Sequence, residues 1–393
     1  IIYKNNYKHF IKINQSKVRN IFMNFTCIVS EFNPITKGHE KIINFAKEKT
    51  ANPIMCIMSG NFVQRGEPAI LDKYTRAKLA IDAGADIVIE LPTIYALSSA
   101  TDFAFGAIKT ISALTNVEYL VFGSECGKLQ ELQSIKDTIN IHSNSKLIKE
   151  ELKKGTSYAN TLTKVLNLNL KSNDILAVEY LNALKSLNSK ITPLTLKRED
   201  NFNLSVSSNG LASASAIRTL LKEKKIDDAY NLSPLLKKQN IKNITNYQDF
   251  NKIVDFKLKT EHQKLKKING VSEGIENYII ENFNVNKTNI KTKRYPETKI
   301  NRILCNFVLD IPQSLVRSAK QKNSVYIKVL AINNNKKDLL KHLPKNLVIV
   351  SKKDETKLNK IQRQVYEKDI LASKVFSCIN DGYTGKEDYT NKL

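Results

Sequence analysis

Tryptophan is absent from this 393-residue chain, and cysteine, proline and long apolar runs are scarce. The five cysteines are scattered, with no CxxC pair and no histidine at zinc-finger spacing, which argues against a zinc site and against a disulfide framework. No apolar run approaches the roughly 18 residues that a membrane-spanning helix needs. These absences predict a protein of a reducing compartment, the cytoplasm, that does not span a membrane.

Acidic residues are also few, because 38 Asp and Glu stand against 62 Lys and Arg, for a net charge of +24. Such an excess of positive charge favours a polyanionic partner, a nucleic acid before a membrane surface. The coding bias of an AT-rich genome is the alternative. It explains lysine in place of arginine, but it does not by itself explain the shortage of acids.

The length and the hydrophobic content of 41% are sufficient for two or three domains. Residues 1–22 are basic and contain no acid, and we interpret them as an extension that precedes a start at Met23, with an organellar transit peptide as the alternative. We predict an α/β domain over 23–230 and a mainly helical, basic domain over 231–393, because lysine and asparagine become more frequent near residue 230. The tail beyond about 380 is expected to be loose.

Strands and helices alternate along the first domain. The predicted strands are apolar throughout, which is typical of a parallel sheet covered on both faces. Right-handed crossovers then predict a doubly wound parallel sheet that binds ligands at the carboxyl ends of its strands. Strands are predicted at 25–30, 53–58, 86–91, 118–122 and 191–196. Helices are predicted at 39–50, 70–84 and 95–114, across 130–188, and at 247–268, 272–283 and 294–311.

The loop after the first strand carries the pattern Thr36-x-Gly38-His39 directly before a helix. A helix N-terminus offers free backbone N–H groups and a positive dipole end, so this loop is suited to an anion. It is neither a P-loop nor a dinucleotide-binding glycine motif. It resembles the T/HxGH signature of the nucleotidyltransferase superfamily, whose histidine contacts the phosphates of ATP. A surface histidine is the alternative.

A second pattern, Ser215-x-x-Arg218, begins a later helix and resembles the S/TxxIR signature of the same superfamily. Ser213 or Ser215 is the predicted N-cap. Arg198 ends the strand at 191–196 and is expected to touch the ligand. A capped helix with a solvated Arg218 is the alternative, but the two patterns in the expected order favour phosphate binding. Phosphoryl and nucleotidyl transfer depend on positioning and electrostatics, so no nucleophilic side chain is needed.

Polar residues are concentrated in the loop after the second strand, and we predict that they bind the substrate carboxylate or a target base. This predicted set is Ser59, Asn61, Gln64, Arg65 and Glu67. Glu31 and Glu90 also follow strands, where each is a candidate base, a candidate Mg²⁺ ligand or a loop cap.

Longer blocks resemble one family within the superfamily, the bacterial tRNA(Met) cytidine acetate ligases. The resemblance runs from about Phe25 to 340, and its most specific block is Ser-Gly-Asn-Phe-Val-Gln-Arg-Gly-Glu-Pro. The other blocks are Glu31-Phe-Asn-Pro, Ile89-Glu-Leu-Pro92, Phe122-Gly-Ser-Glu125, Ser213-Ala-Ser-Ala-Ile-Arg218 and Arg294-Tyr-Pro-Glu-Thr-Lys-Ile-Asn-Arg302.

This resemblance implies that ATP activates acetate to acetyl-adenylate, which then acetylates N4 of the wobble cytidine of elongator tRNA(Met). It implies ATP and acetate binding by 23–230, tRNA binding by 231–393, and use of Mg²⁺. His39, Thr36 and Arg198 are the implied catalytic residues. The implied and predicted ATP contacts are Val29, Glu31, Asn33, Pro34, Lys37, Gly38, His39, Ile42, Gly123, Asn173, Arg198, Ser215 and Arg218.

Two positions depart from the family pattern. Thr36 stands where the family has the first histidine of its HxGH motif, although the wider superfamily accepts threonine. Ser172-Asn173-Asp174 replaces the usual Pro-Asn-Asn. Two other functions remain open: a small-molecule adenylyltransferase, and an RNA-binding protein without catalysis.

Basic residues are clustered in the C-terminal half and form the predicted tRNA-binding surface, with a solvated helix face as the alternative. They are Lys291, Lys293, Arg294, Lys299 and Arg302. Their interaction with RNA phosphates should weaken steeply with salt. The acetylated base must be unstacked from a single-stranded loop.

Overall fold

The computed structural model describes residues 23–390 with internal gaps at 144, 154–157, 169, 199–211, 240, 242, 287–294, 345–346 and 348–351. The predicted extension at 1–22 therefore lies outside the described residues. Within them, no helix is both long enough and apolar enough to cross a membrane.

A six-stranded sheet organises the fold, in the order β7-β6-β1-β2-β5-β8, and a short antiparallel hairpin of β3 and β4 lies beside it. All neighbours in the large sheet are parallel except β5 and β8. The strands are β1 (Phe25–Ser30), β2 (Ile54–Ser59), β3 (Phe62–Val63), β4 (Glu67–Pro68), β5 (Ile87–Leu91), β6 (Val117–Ser124), β7 (Thr192–Lys197) and β8 (Val329–Ile332).

Helices connect the parallel strands and continue through the C-terminal half. In the first half they are α1 (Lys37–Thr50), α2 (Lys73–Asp82), α3 (Thr93–Ala96), α4 (Ala100–Ser112), α5 (Leu129–His142), α6 (Lys146–Lys153), α7 (Tyr158–Leu166), α8 (Ser172–Ser186) and α9 (Ala214–Lys222). They continue with α10 (Ile226–Leu232), α11 (Tyr247–Glu261), α12 (Ile275–Asn282), α13 (Glu297–Val308), α14 (Gln313–Gln321), α15 (Lys360–Ser377) and α16 (Glu387–Thr390). Single 3₁₀ turns cover Pro234–Gln239, His262–Lys267, Asn334–His342 and Lys352–Lys357.

The order of the strands places a topological switch between β1 and β6. From β1 the chain runs outward through β2 and β5, and it then returns to build β6 and β7 on the other side. Every residue of β2 and β5 is buried, because helices cover both faces. In such sheets the crevice at the carboxyl ends of the two switch strands is where ligands bind.

The structure confirms the predicted α/β class and the doubly wound, mainly parallel sheet, and the five predicted strands agree with it to within two residues. The helix predicted at 95–114 is two helices, because Ser99 caps α4 through its hydroxyl, which accepts a bond from the N–H of Asp102 at 3.3 Å. The region 130–188 is helical as predicted, and its described residues form the four helices α5 to α8. The division at residue 230 stays a prediction, although β8 extends the sheet of the first part.

The expectation of a loose tail beyond about 380 is wrong. The Asp388 carboxylate is fully buried, and its Oδ1 lies 2.7 Å from Nζ of Lys73 and 2.5 Å from Nζ of Lys328. Nζ of Lys73 also lies 3.0 Å from each carboxylate oxygen of Glu90. This cluster of two buried lysines and two buried carboxylates therefore connects Asp388 to α2, to β5 and to the residue before β8. Leaving any one of the four charges unpaired would carry a large desolvation cost.

Candidate functional site

A cavity of about 410 Å³ lies at the switch point, bounded by the carboxyl ends of β1, β6 and β7. The N-termini of α1, α8 and α9 also reach it. Three helix ends at one cavity direct the positive ends of their dipoles and their first-turn N–H groups toward it, an arrangement that stabilises bound anions. The site therefore has the electrostatics of a phosphate-binding pocket.

Thr36 and His39 form a reciprocal cap at the start of α1. The Thr36 hydroxyl accepts a bond from the N–H of His39 at 3.3 Å, and Nδ1 of His39 accepts one from the N–H of Thr36 at 3.0 Å. Because Nδ1 is an acceptor, the proton of the neutral ring is on Nε2. The departure at position 36 thus has a structural role, since threonine is a favoured N-cap residue.

His39 is an uncharged hydrogen-bond donor near neutral pH. Burial, and then the nearby Arg198 guanidinium, lower its pKa from 6.5 to about 3. Its ring also packs edge-on against Phe32, with the centroids 5.1 Å apart. A fixed, neutral Nε2–H in the cavity can stabilise developing negative charge without becoming protonated.

Arg198 lies across the ends of β7 and β6. Its N–H donates to the carbonyl of Ser124 at 2.8 Å, and its side-chain stem packs over Gly123. A Cβ at Gly123 would lie 3.1 Å from Cγ of Arg198, so a larger residue would require the Arg198 stem to shift by a few tenths of an ångström. Glycine at this position is therefore explained by the close approach of Arg198.

Arg218 joins the α9 helix to the first loop. It is buried, its Nη1 donates to the carbonyl of Asn33 at 2.8 Å, and its Nε lies 3.4 Å from Oε1 of Glu67. Ser213 is the N-cap of α9, because its hydroxyl accepts from the N–H of Ala216, and Ser215 lines the cavity. The structure thus brings the two phosphate-binding patterns of the sequence to one cavity.

Asn173 lies at the first turn of α8, where two carboxylates organise the backbone. Glu125 accepts bonds from Nδ2 of Asn173 at 2.7 Å and from the N–H of Asp174 at 2.9 Å. Asp174 in turn accepts from the N–H groups of Glu125 and Cys126. The Ser172-Asn173-Asp174 sequence therefore still presents Asn173 to the cavity.

Most of the predicted ATP contacts line the cavity. Pro34 and Lys37 are the exceptions among them, since Pro34 is buried outside the lining and Lys37 is exposed to solvent. The cavity-lining members are Val29, Glu31, Asn33, Gly38, His39, Ile42, Gly123, Asn173, Arg198, Ser215 and Arg218, and Thr36 lines it too.

The polar loop after β2 is divided between the cavity and the protein interior. Gln64 and Arg65 line the cavity. Asn61 is buried and accepts from the N–H of Lys73 at 2.9 Å, Ser59 is fully buried, and Glu67 pairs with Arg218. Ser59, Asn61 and Glu67 therefore lie outside the cavity lining. Asn61 and Glu67 use their polar atoms in contacts within the protein, and Ser59 is buried.

Arg76 is a buried guanidinium that the sequence analysis did not single out. It is completely buried on α2 and donates to the carbonyls of Glu31 at 2.6 Å, Leu71 at 3.0 Å and Ser59 at 3.1 Å, and also to that of Gly60. It therefore holds the ends of β1 and β2 in place. The available sequence signal was an arginine next to the apolar positions Ala77, Leu79 and Ala80 of this helix.

The carboxylates of the site do not fit a resident Mg²⁺ ion. Glu90 is occupied by Lys73, which excludes its predicted role as a metal ligand. Glu31 accepts from the N–H of Gln64 at 2.6 Å and so caps that loop. The described residues contain no group of three His, Cys, Asp or Glu side chains that could hold a metal. Mg²⁺ is normally held by one or two carboxylates together with substrate phosphates.

The predicted tRNA-binding residues are only partly described. Lys291, Lys293 and Arg294 lie outside the described residues. Nζ of Lys299 donates to the Ser272 hydroxyl at 3.1 Å. Arg302 instead lies against the loop after β2, because its Nη1 donates to the carbonyl of Gln64 at 3.1 Å. Burial lowers the pKa of its guanidinium to about 10. The structure therefore places Arg302 behind the cavity loop.

Comparison with known proteins gives a consistent result. Residues 23–391 match the HIGH nucleotidyl transferase family. The tRNA(Met) cytidine acetate ligase of Clostridium perfringens is 36% identical over 405 residues, which cover 93% of this chain and 98% of that protein. The enzyme of the same name from Thermoanaerobacter sp. (strain X514) is 36% identical over 379 residues, covering 89% of this chain and 94% of that protein.

Two solved structures are also similar. Apo TmcAL from Thermotoga maritima (form I) superposes with a TM-score of 0.81 at 27% identity, covering 94% of this chain and 98% of that one. The same protein bound with alpha-thio ATP (form II) gives a TM-score of 0.76 at 27% identity, covering 90% of this chain and 95% of that one.

Proposed function

Because the chain belongs to the tRNA(Met) cytidine acetate ligase family of HIGH nucleotidyl transferases, we propose that it acetylates a cytidine of tRNA(Met) with acetate and ATP. It is an enzyme, an ATP-dependent ligase. The observation that carries this proposal is the match over nearly the whole chain to ligases of that name, together with a cavity in which the two phosphate-binding patterns meet.

In the proposed first step, a carboxylate oxygen of acetate attacks the α-phosphorus of ATP. A new P–O bond forms, the bond to the β-phosphate breaks, and pyrophosphate leaves. The charge on the α-phosphate in the transition state would be stabilised by Nε2–H of His39, the N–H groups at the start of α1, and Arg198. Preorganised donors of this kind supply a large share of the catalysis in such reactions.

In the proposed second step, N4 of the wobble cytosine of elongator tRNA(Met) attacks the acetyl carbon of acetyl-adenylate. The C–N bond forms, the C–O bond to the phosphate breaks, and AMP leaves. Arg65 and the Gln64 amide are the cavity groups suited to the acetate carboxylate and then to the base. The anticodon loop supplies an unstacked base.

The partners follow from this chemistry. Mg²⁺ is proposed to arrive as the complex with ATP, held by the nucleotide's own phosphates, because the part of the site that the structure describes offers no carboxylate set for it. The basic residues between Lys291 and Lys299 are proposed to contact tRNA phosphates. A cytoplasmic location is proposed because tRNA is used there.

One assay tests the function. The purified protein is incubated with ATP, acetate and tRNA(Met), and the tRNA is digested and analysed for N4-acetylcytidine. Acetylation that requires all three substrates is expected. Tight tRNA binding without acetate-dependent ATP turnover would instead indicate an RNA-binding protein, and adenylylation of a small metabolite would indicate an adenylyltransferase.

A further inference from the structure

Glu31 is the single carboxylate among the described residues that line the cavity. It ends β1, between the phosphate-binding start of α1 and the loop that presents Gln64 and Arg65. Its Oε1 accepts from the N–H of Gln64 at 2.6 Å, which fixes the orientation of the carboxylate. Within the described part of the chain, Oε2 makes no hydrogen bond.

Transfer of an acetyl group to a cytosine amine requires a base. The N4 lone pair is delocalised into the ring, so the attacking amine is a weak nucleophile, and the adduct is acidic until one N–H proton is removed. Positioned carboxylates and imidazoles perform such proton transfers with rate gains of about 10²–10⁴.

The other titratable groups among the described residues of the cavity are unsuited to this role. His39 uses its Nδ1 lone pair to accept from Thr36, and its Nε2 carries a proton. Burial, and then Glu31, raise the pKa of Tyr180, which keeps its hydroxyl protonated. Lys41, Lys197 and the arginines are cationic donors.

We propose that Glu31 is the general base of the acetyl-transfer step, accepting a proton from the cytosine N4 amine as it attacks acetyl-adenylate. This inference rests on the proposed function. The N4–C bond forms, the bond between the acetyl carbon and the phosphate oxygen breaks with AMP leaving, and the N4 proton passes to Oε2 of Glu31 and then to solvent.

The surroundings of Glu31 are matched to a base of intermediate strength. Burial raises its pKa, and the N–H of Gln64 and the guanidinium groups of Arg65, Arg218 and Arg76 oppose that rise. Arg302, on α13, also faces it. Burial makes the carboxylate more basic than a solvated glutamate, while the neighbouring donors and cations stabilise its ionised form.

The two half-reactions provide the test. Acetate-dependent ATP–pyrophosphate exchange reports acetyl-adenylate formation, and synthetic acetyl-adenylate added with tRNA(Met) reports transfer alone. Glu31→Gln keeps an oxygen that accepts from Gln64, so the loop is retained, but it removes the base. The transfer rate of this variant is expected to fall at least about 100-fold. The fold-loss in transfer should be at least about 20 times the fold-loss in ATP–pyrophosphate exchange.

The pH profile gives a second readout. The wild-type transfer rate is expected to rise with pH as Glu31 ionises, over a pH range above the ordinary glutamate pKa. The transfer rate of Glu31→Gln is expected to show no such rise. Equal losses in exchange and transfer, or a wild-type transfer rate in Glu31→Gln, would overturn the assignment. If the wild-type protein catalyses neither reaction, the proposed function itself fails.

Discussion

The main-chain N–H of Thr36 donates to Nδ1 of His39 across 3.0 Å, and this bond determines which ring nitrogen carries the proton. The Thr36 hydroxyl in turn accepts from the N–H of His39 at 3.3 Å, so the threonine side chain caps α1. With Nδ1 engaged as an acceptor, Nε2–H is the remaining donor of the His39 ring. The reciprocal cap is the same arrangement that glutamine provides at this helix position in other proteins.

Replacement of His39 separates its two roles. His39→Ala should reduce acetate-dependent ATP–pyrophosphate exchange by about 10²–10³, because one preorganised donor is lost. His39→Gln should retain more activity, since glutamine can maintain the cap with Thr36 and still offer an N–H. Filter binding should show tRNA affinity within about twofold of wild type for both variants, because most of that affinity is proposed to come from lysine and arginine contacts to phosphates, which a neutral His39 does not provide. Full activity in His39→Ala would refute the phosphate role.

His39 also predicts how stability depends on pH. Its folded-state pKa of about 3 lies below the ordinary 6.5, owing to burial and then Arg198. The unfolded chain therefore takes up a proton below about pH 6.5 while the folded state does not, and stability is lost as the pH falls toward 3. Relative to His39→Gln, the wild-type free energy of unfolding in urea should drop by about 2–3 kcal/mol between pH 7 and about 4.5. An unchanged difference would contradict the buried, neutral imidazole.

The basic residues before α13 should control RNA affinity. Simultaneous replacement of Lys291, Lys293 and Arg294 by alanine should weaken tRNA binding at least about tenfold and reduce the slope of log K against log salt by about 2–3. ATP binding should be unaffected. A matched control is the pair Lys341→Ala and Lys357→Ala, whose lysines form local ion pairs with Asp338 and Asp354. An equal effect in the control would indicate only a general charge effect.

Arg302 should behave as a support of the cavity loop. In Arg302→Met the carbonyl of Gln64 loses its donor, and the free energy of unfolding should fall by about 1–3 kcal/mol. The KM for acetate should rise because Gln64 and Arg65 are less well positioned. The salt dependence of tRNA binding should not change, whereas a direct phosphate contact would lower its slope by about 1. Lys299→Met is the comparison on the same helix.

Asp388 should contribute strongly to stability. Burial opposes its ionisation, but Lys73 and Lys328 hold its pKa well below the usual range. Asp388→Asn leaves two buried lysines with Glu90 alone, and the expected loss is about 3–5 kcal/mol in urea unfolding. Asp381→Asn, at an exposed position nearby, is the control. The contribution of Asp388 is present above the ordinary carboxylate pKa and is lost as the pH falls below it.

Most of the fold and much of the candidate site could be predicted from local patterns in the sequence. Apolar runs identified the parallel strands because strands covered on both faces leave no polar positions. Thr36, Gly38 and His39 were recognisable because a helix N-terminus imposes local spacing. β8 was missed because a four-residue strand at an edge has little periodicity, and its partner β5 is far away in the chain.

Other features of the site were not predicted because they depend on contacts between residues that are distant in the sequence. The polar side chains of Asn61 and Glu67 suggested ligand binding, but their partners are Lys73 and Arg218. Arg302 shares a helix with Lys299 and was grouped with it, although its position on that helix turns it toward Gln64. The local spacing of residues does not show which charged side chain will be buried, because burial depends on a partner elsewhere in the chain.

The pairing of β5 with β8 has a consequence for biosynthesis. The β5 edge at Ile87 is covered only after Ile332 has been synthesised, and the charge of Lys73 is fully compensated only after Asp388 has been synthesised. During translation the nascent sheet therefore exposes an apolar edge strand, which is a template for aggregation. Chaperone dependence and slow final folding are the expected signatures of this late closure, since distant contacts form last.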